Sequence, residues 1–160
     1  MKVRYAVLFA LVAAFMLASV AAAGPDAAKQ RVSITTQFPK TTQVSPFVLT
    51  PLQAGAIKPD AGTWTNGSSN PGRDVMLSGQ EVSINEGSST LKGKLGNLVV
   101  RTRSEWVDAG NGYQVATDTW KIVRGTGQYA GVTGGGRGGS VWNARTDHWS
   151  SHVEGFLTAP

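Results

Sequence analysis

The stretch RGTGQYAGVTGGGRGG, residues 124 to 139, decides between two fold classes for this chain, a nucleotide-binding α/β fold and an all-β fold. Its Gly125-x-Gly127-x-x-Ala130 spacing matches a dinucleotide-binding fingerprint, which needs a strand before the glycines and a helix after them. A strand pattern does end at Val123, but GVTGGGRGG follows Ala130, and each glycine costs about 1 kcal/mol in a helix interior. No Lys-Ser or Lys-Thr follows the glycines, as a Walker A loop requires. The stretch therefore argues against a nucleotide-binding βαβ unit.

The same glycines are typical of a tight cap at the end of a β-barrel. Gly125 and Gly127 allow the chain to leave a strand with positive φ. Residues 128 to 130 can form a single helical turn, which lays Tyr129 over the end of the core. The glycines from 134 to 139 then return the chain with sharp curvature. We interpret this stretch as a barrel corner.

The rest of the chain has strand patterns and no helical spacing of apolar residues. Short runs rich in Val, Ile, Thr and Trp alternate with clusters of Gly, Asn, Asp, Ser and Pro. The predicted strands are residues 32 to 38, 45 to 49, a segment around Trp64, and residues 74 to 84, 89 to 95, 97 to 107, 113 to 123, 140 to 151 and 152 to 157. Pro46, Pro51 and Pro59 predict an edge strand or loop before Ala61. The pattern predicts an all-β sandwich or up-and-down barrel.

One hairpin can be put in register from its side-chain pattern, because opposite residues in a ladder share a face. Pairing Trp106 with Gln114 gives one largely apolar face and one polar face. The other pairs on the apolar face are Ser104 with Ala116, Thr102 with Asp118, Val100 with Trp120, and Leu98 with Ile122. A two-residue turn at Asn111 and Gly112 would set Trp120 opposite Arg103 and mix the faces. We therefore predict the longer loop.

Residues 119 to 137, TWKIVRGTGQYAGVTGGGR, resemble the W-x-[IV]-x-x-GTG-x-YAG-x-x-G-x-G segment of small exported bacterial proteins. Those proteins belong with the allene oxide cyclase-like and dirigent-like β-barrels, the calycin-like group. LKGKLGNLVVR, residues 91 to 101, resembles the strand pair before that segment. The resemblance implies an antiparallel up-and-down barrel of about eight strands with a small central cavity. Plant members use such a cavity to steer cyclisation or radical coupling, but no functional residue of theirs is matched here.

Asp118 is the residue that the sequence singles out for chemistry, because it falls on the predicted apolar face. A carboxyl group there loses its hydration and needs a partner, and such acids serve as general acids or ligand anchors. Equally, Asp118 can be a structural residue bonded to Thr102, to a backbone amide or to an arginine. The candidate ligand-binding residues are Asp118, Thr102, Trp106, Trp120 and Tyr129, and Asp118 is the candidate catalytic residue.

Three functions are compatible with these features. The first is non-enzymatic binding of a small apolar or amphipathic ligand or of a partner, since small closed barrels can hold one molecule. The second is a cofactor-independent isomerase or cyclase of the allene oxide cyclase-like type, with Asp118 as the acid or orienting group. The third is a filled structural barrel that acts through its surface.

The composition excludes several kinds of site. The chain has no cysteine, which excludes disulfides, thiolate catalysis and cysteine-based metal sites. His148 and His152 make an incomplete metal site, so we predict neither a metal nor a cofactor. Lysine and arginine are spread through the mature chain without a run of three, so nucleic acid is not a predicted partner.

The N-terminal residues predict export. Lys2 and Arg4 precede an uncharged run from residue 6 to residue 20, and Ala21 and Ala23 follow in the small-x-small pattern of signal peptidase sites. The predicted organisation is a signal peptide at 1 to 23, a flexible leader at 24 to 30, and a β-barrel domain at 31 to 160. The protein is then secreted or periplasmic, with no membrane span after signal cleavage.

Cleavage near Ala23 would remove Lys2 and Arg4 and lower the formal net charge from +5 to +3. We expect the exported protein to have the mass of the chain from about residue 24 onward, because signal peptidase cuts after the small-x-small pattern. Intact-mass spectrometry of the protein from the periplasm or the medium measures this. An exported chain that keeps the full mass of 16.8 kDa would contradict the prediction.

Overall fold

The computed structural model describes residues 28 to 39, 44 to 70 and 72 to 160. The strands are β1 (Lys29–Pro39), β2 (Val44–Pro51), β3 (Asp60–Ser69), β4 (Arg73–Leu77), β5 (Gln80–Gly93), β6 (Asn97–Gly110), β7 (Tyr113–Gly125), β8 (Thr133–Asn143) and β9 (His148–Thr158). A single 3₁₀ turn, Gly127–Tyr129, connects β7 to β8. Within the described ranges, no helix is long and apolar enough to cross a membrane.

Eight of these strands form a closed antiparallel ring. The order around the ring is β3, β2, β1, β9, β8, β7, β6 and β5, and β5 then pairs with β3. The short strand β4 pairs with the first part of β5, outside the ring. Apart from β4, which lies between β3 and β5 in the chain, strands that follow each other in the sequence are neighbours in the ring, as in an up-and-down barrel. The predicted all-β class and the ring of eight strands are confirmed.

The N-terminal part of the sheet begins earlier than predicted. The predicted signal peptide, 1 to 23, and residues 24 to 27 of the predicted leader lie outside the described residues. Strand β1 begins at Lys29, and the side chain of Gln30 is buried. The Gln30 amide donates to the carbonyl oxygens of Gln53 and Ile57 at 2.9 Å each. These hydrogen bonds make Gln30 part of the domain.

The prediction of an edge strand or loop before Ala61 is confirmed for the loop at residues 52 to 59 and wrong for β2. Strand β2 lies within the ring, paired with β1 on one side and with β3 on the other. Its prolines occupy positions that the ladders tolerate: Pro46 lies beyond the last pair with β1, and Pro51 is the final residue. The alternation of Ser45, Phe47 and Leu49 as buried residues is the stronger signal.

Two predicted strands are each divided by a turn. The run from 74 to 84 contains the turn between β4 and β5, where Ser78 and Gly79 have φ values of 49° and 83°. The run from 140 to 151 contains the turn between β8 and β9, where Asp147 has a φ of 54°. Serine and aspartate can adopt this left-handed conformation, so both turns form without the Gly-Gly pair or proline that would indicate a turn in the sequence.

The hairpin of β6 and β7 has the predicted inward face but a different register. Trp106 lies opposite Ala116, and Ser104 lies opposite Asp118, so Thr102 is not the partner of Asp118. Leu98, Val100, Asp118, Trp120 and Ile122 are buried as predicted for this face. The assignment of faces is confirmed and the pairing is wrong by two residues.

A β-bulge explains the register. The turn is the two-residue turn at Asn111 and Gly112 that we expected to mix the faces, and both residues have positive φ, 55° and 77°. Between Asp108 and Gly110 the pairing shifts by one residue. The one-residue shift at the bulge offsets the one-residue difference that the short turn introduces. The inward residues of β6 and β7 therefore still lie opposite each other on one face.

One end of the ring is filled by an apolar core and sealed by the 3₁₀ turn. The most completely buried side chains there are Val32, Leu49, Leu91, Leu98, Val100 and Leu157. Tyr129 lies over this core and is 2% exposed, which confirms the predicted cap. Gly127 has a φ of 62°, and a Cβ at Gly125 would overlap the carbonyl oxygen of Tyr129.

The glycines after the cap are part of β8 itself, not a curved return before it. Gly136 and Gly138 share the inward parity of Ser140, and a Cβ at either position would overlap the backbone of β9. The absence of these side chains lets β8 lie close to β9 and leaves room inside the ring. These glycines therefore allow the close approach of β8 to β9, and their role in curvature stays a prediction.

Asp60 holds the sealed end together. Its carboxyl group accepts hydrogen bonds from the backbone N–H groups of Ala61 at 2.8 Å, Lys94 at 2.9 Å and Leu95 at 3.3 Å. The hydroxyl of Tyr129 donates a fourth hydrogen bond at 2.9 Å. Burial and this neighbouring carboxyl group raise the pKa of the Tyr129 hydroxyl well above its usual value.

Tyr129→Phe should lower the free energy of unfolding at neutral pH by about 1 to 3 kcal/mol, because buried Asp60 loses one donor. Because the pKa of Tyr129 is higher in the native than in the unfolded state, its protonated hydroxyl contributes fully to stability below pH ~10. This contribution falls as the pH rises above ~10, where the unfolded state loses the proton first. The difference between wild type and variant should therefore shrink at high pH. Urea unfolding at pH ~8 and ~11 measures it.

Tyr113→Phe is the matched control, because Tyr113 is 37% exposed and lies at the opposite end of the ring. Its stability difference from wild type should be small at both pH values. A Tyr129→Phe difference that stays constant between the two pH values would contradict the assigned role of the Tyr129 hydroxyl.

Candidate functional site

Among residues 28 to 39, 44 to 70 and 72 to 160, none covers the end of the ring opposite the 3₁₀ turn as Tyr129 covers the other. The turns between β6 and β7 and between β8 and β9 lie at this end. They surround a recess of about 390 Å³, which we call the mouth recess. Its lining residues are Asn66, Ser83, Asn85, Trp106, Gln114, Trp142 and Trp149. None of these side chains is charged.

Three indole rings from three different strands form much of the wall. Trp106 is on β6, and Trp142 and Trp149 lie opposite each other on β8 and β9. Trp149 stacks on Phe38 with ring centroids 4.3 Å apart and an interplanar angle of 30°. Trp142 Nε1 donates to Asp147 Oδ1 at 3.2 Å. These contacts hold two of the rings in fixed orientations, which reduces the ordering cost of binding a ligand.

A second, smaller space lies deeper in the ring, and we call it the inner cavity. Its volume is about 60 Å³. Its lining residues are Trp64, Asn66, Ser89, Thr102, Ser104, Asp118, Trp120, Ser140, Trp149, Ser151 and Val153. Asn66 and Trp149 line both spaces, so the inner cavity lies directly beneath the mouth recess.

Asn66 is anchored where the two spaces meet. Its Oδ1 accepts a hydrogen bond from Trp64 Nε1 at 3.1 Å and one from Ser89 Oγ at 3.3 Å. Trp64 is 6% exposed and packs edge-on against Phe38, with ring centroids 6.4 Å apart. Asn66 thus links the aromatic cluster of the mouth recess to the hydroxyl-lined inner cavity.

Asp118 lies in the wall of the inner cavity and is 5% exposed. Ser104 Oγ donates to one carboxyl oxygen, and Ser140 Oγ donates to the other, each at 2.5 Å. Among the described residues that line the two spaces, Asp118 is the only one with an ionisable side chain. Its partners are neutral hydroxyl groups, and no arginine or lysine in the described part of the lining balances the carboxyl group.

The structure brings four of the five predicted site residues together. Asp118, Thr102 and Trp120 line the inner cavity, and Trp106 lines the mouth recess. Thr102 lies opposite Trp120, whose Nε1 donates to the carbonyl oxygen of Glu154 at 3.3 Å. Tyr129 lies apart from them, in the sealed end with Asp60.

Sequence reasoning missed Trp142 and Trp149 as wall residues. Both lie in the run from 140 to 151 that we predicted to be one strand, so the turn that sets them opposite each other was not apparent. Their alternation with polar residues is also the pattern of an ordinary core strand. The signal that could have indicated this site is the position of Trp142 and Trp149 on either side of a short polar segment, since a turn there places the two indoles opposite each other.

The volumes limit what each space can hold. The mouth recess falls within the range of about 300 to 1,000 Å³ that is typical of small-molecule sites. The inner cavity, at about 60 Å³, is much smaller. A small molecule that binds at this end of the ring must therefore place its body in the mouth recess and a small terminal group beside Asp118.

The described residues offer no alternative metal centre, since they contain no group of three or more His, Asp or Glu side chains placed to bind one ion. His152 Nε2 instead lies 3.3 Å from Glu154 Oε1 on the outer wall, where both side chains are exposed. Glu154 also pairs with Arg31, and these contacts hold its pKa below the usual value.

Comparison with known proteins identifies no relative. No family model, no curated protein and no solved structure matches this chain. Function must therefore be argued from the site itself, since a barrel fold can carry many functions.

Ser140→Ala tests whether the hydroxyl groups stabilise Asp118. We expect the free energy of unfolding to fall by about 1 to 3 kcal/mol, because a buried carboxyl oxygen loses its donor. The same substitution should cost clearly less when Asp118 is already replaced by alanine, since the partner is then absent. Urea unfolding of the two single variants and the double variant measures this coupling.

Ser150→Ala is the control, because Ser150 is a neighbouring serine on β9 with the outward parity. Its effect on stability should be small and independent of Asp118. Additive effects of Ser140→Ala and Asp118→Ala would contradict a direct interaction.

Proposed function

We propose that this protein is a secreted or periplasmic binding protein that takes a small amphipathic molecule into the mouth recess. The observation that carries the proposal is the wall itself: three indole rings and four uncharged hydrogen-bonding side chains surround one recess of ligand size. Sites for small molecules typically combine aromatic walls with a few polar groups that fix orientation. The resemblance to exported allene oxide cyclase-like barrels supports the same compartment and architecture.

The position of Asp118 favours one alternative, a cofactor-independent isomerase or cyclase. A general acid needs a carboxyl group within hydrogen-bond reach of the reacting atom. Asp118 meets the requirement for a group that enters the inner cavity, where water has little room. Turnover that disappears in Asp118→Asn while binding persists would establish this function instead.

A filled barrel that acts through its surface is the remaining alternative. Of the two spaces at the open end, the mouth recess is the one of ligand size, and other recesses of about 310 to 500 Å³ lie elsewhere on the described residues. If the recess binds nothing, function must lie on the outer wall. The binding experiment below therefore separates this function from the proposed one.

We expect the neutral aromatic probe N-phenyl-1-naphthylamine to bind the folded protein with increased fluorescence. Trp106→Ala should weaken its binding by about tenfold, because one of the three aromatic contacts in the wall is lost. Fluorescence titration of wild type and variant measures the change, and circular dichroism checks that the variant is folded.

Phe156→Ala is the matched control, since Phe156 is also aromatic but is 50% exposed and lies outside the lining of the two spaces. Probe affinity should be unchanged in this variant. Equal weakening by both substitutions, or no saturable binding to wild type, would refute the mouth recess as a ligand site.

A further inference from the structure

We infer that the natural ligand is an organic amine, with a flat aromatic body in the mouth recess and a short chain that places an ammonium group beside Asp118. This inference rests on the proposed function and specifies the chemical class of the ligand. It follows from three features of the lining: its charge, its hydrogen-bonding groups and the depth of the carboxyl group.

The first feature is charge. Asp118 is the one ionisable group among the described lining residues, and its only hydrogen-bond donors there are two serine hydroxyls. Burying a carboxyl group without a cation is costly, and an ammonium ion is the partner that compensates it best. A carboxylate or phosphate ligand would meet repulsion from Asp118 and would find no cationic group among the described residues of the lining.

The second feature is the set of acceptors around Asp118. Ser89, Ser104, Ser140 and Ser151 all line the inner cavity. Serine hydroxyls can rotate and can accept as well as donate hydrogen bonds, whereas an ammonium group has three donors and no acceptor. A cavity of about 60 Å³ has room for an ammonium group.

The third feature is geometry. Ala116 lies opposite Trp106 in the wall of the mouth recess, and Asp118 is two residues further along β7. Two residues of a strand span about 7 Å, so a chain of two or three carbon atoms can connect a ring beside Trp106 to an ammonium group near Asp118. On this path the cation passes three indole rings, whose faces attract ammonium groups.

The decisive experiment compares three ligands of matched shape: 2-phenylethylamine, the neutral 2-phenylethanol and the anionic 3-phenylpropanoate. Isothermal titration calorimetry on the wild-type mature protein at neutral pH measures each affinity. The amine should bind at least about tenfold more tightly than the alcohol, and the anion most weakly. The net charge of the chain is positive, so non-specific attraction would favour the anion instead.

Asp118→Asn should remove the preference for the amine and leave the affinity for the alcohol nearly unchanged. Asp74→Asn is the control, because Asp74 is an exposed aspartate on β4, outside the ring. It should retain the preference. The comparison of the three ligands on wild type decides the question even if the Asp118 variant fails to fold.

Each other outcome counts against a different claim. If the alcohol or the anion binds as tightly as the amine, the amine inference is wrong. If none of the three binds but N-phenyl-1-naphthylamine still does so in a Trp106-dependent manner, the inference fails and the proposed function stands. If neither the amine nor the probe binds, the proposed function itself is refuted.

Discussion

The antiparallel pairing of β1 with β9, from Lys29 opposite Thr158 to Pro39 opposite His148, closes the ring. Closure gives each ring strand two neighbours and turns one face of every strand into an interior wall. Because successive side chains of a strand point to opposite faces, every second residue points into the ring. The order of these inward residues along each strand sets which side chains line each depth of the interior. This order runs from aliphatic residues at the sealed end, through hydroxyl groups, to indoles at the open end. The position of every candidate group depends on this closure.

The two buried carboxyl groups show how the ends differ. Asp60 accepts four hydrogen bonds, three from backbone N–H groups whose positions the fold fixes, and one from Tyr129. Asp118 accepts two hydrogen bonds, both from serine hydroxyls that can rotate. The role of Asp60 is structural, because a ligand could replace its backbone donors only if the turn between β5 and β6, which contains Lys94 and Leu95, unfolded. A carboxyl group held by hydroxyls retains acceptor capacity and can exchange a partner, so Asp118 is the one suited to a ligand.

The fold class and the inward face of the central hairpin could be predicted because both depend on local alternation, as at Trp120 and Ile122. The register could not, since the bulge near Gly110 adds one residue that the apolar pattern does not record. The site was predicted in part for the same reason. Asp118 stands out as a carboxyl group on an apolar face, whereas Trp142 and Trp149 resemble core residues until the turn between them is known. Only the closed barrel shows that the indoles of Trp142 and Trp149 line the mouth recess and are not simply packed in the core.

In the proposed binding function, the two spaces divide recognition between shape and charge. The mouth recess offers flat apolar walls, which accept many aromatic bodies, while the inner cavity offers one carboxyl group and room for a small terminal group. Selectivity must then come mainly from the terminal group, because a hydrophobic wall discriminates weakly between similar shapes and a buried polar site discriminates strongly. The same division bears on the alternative of catalysis, because Asp118 can transfer a proton only to or from the terminal group that enters the inner cavity.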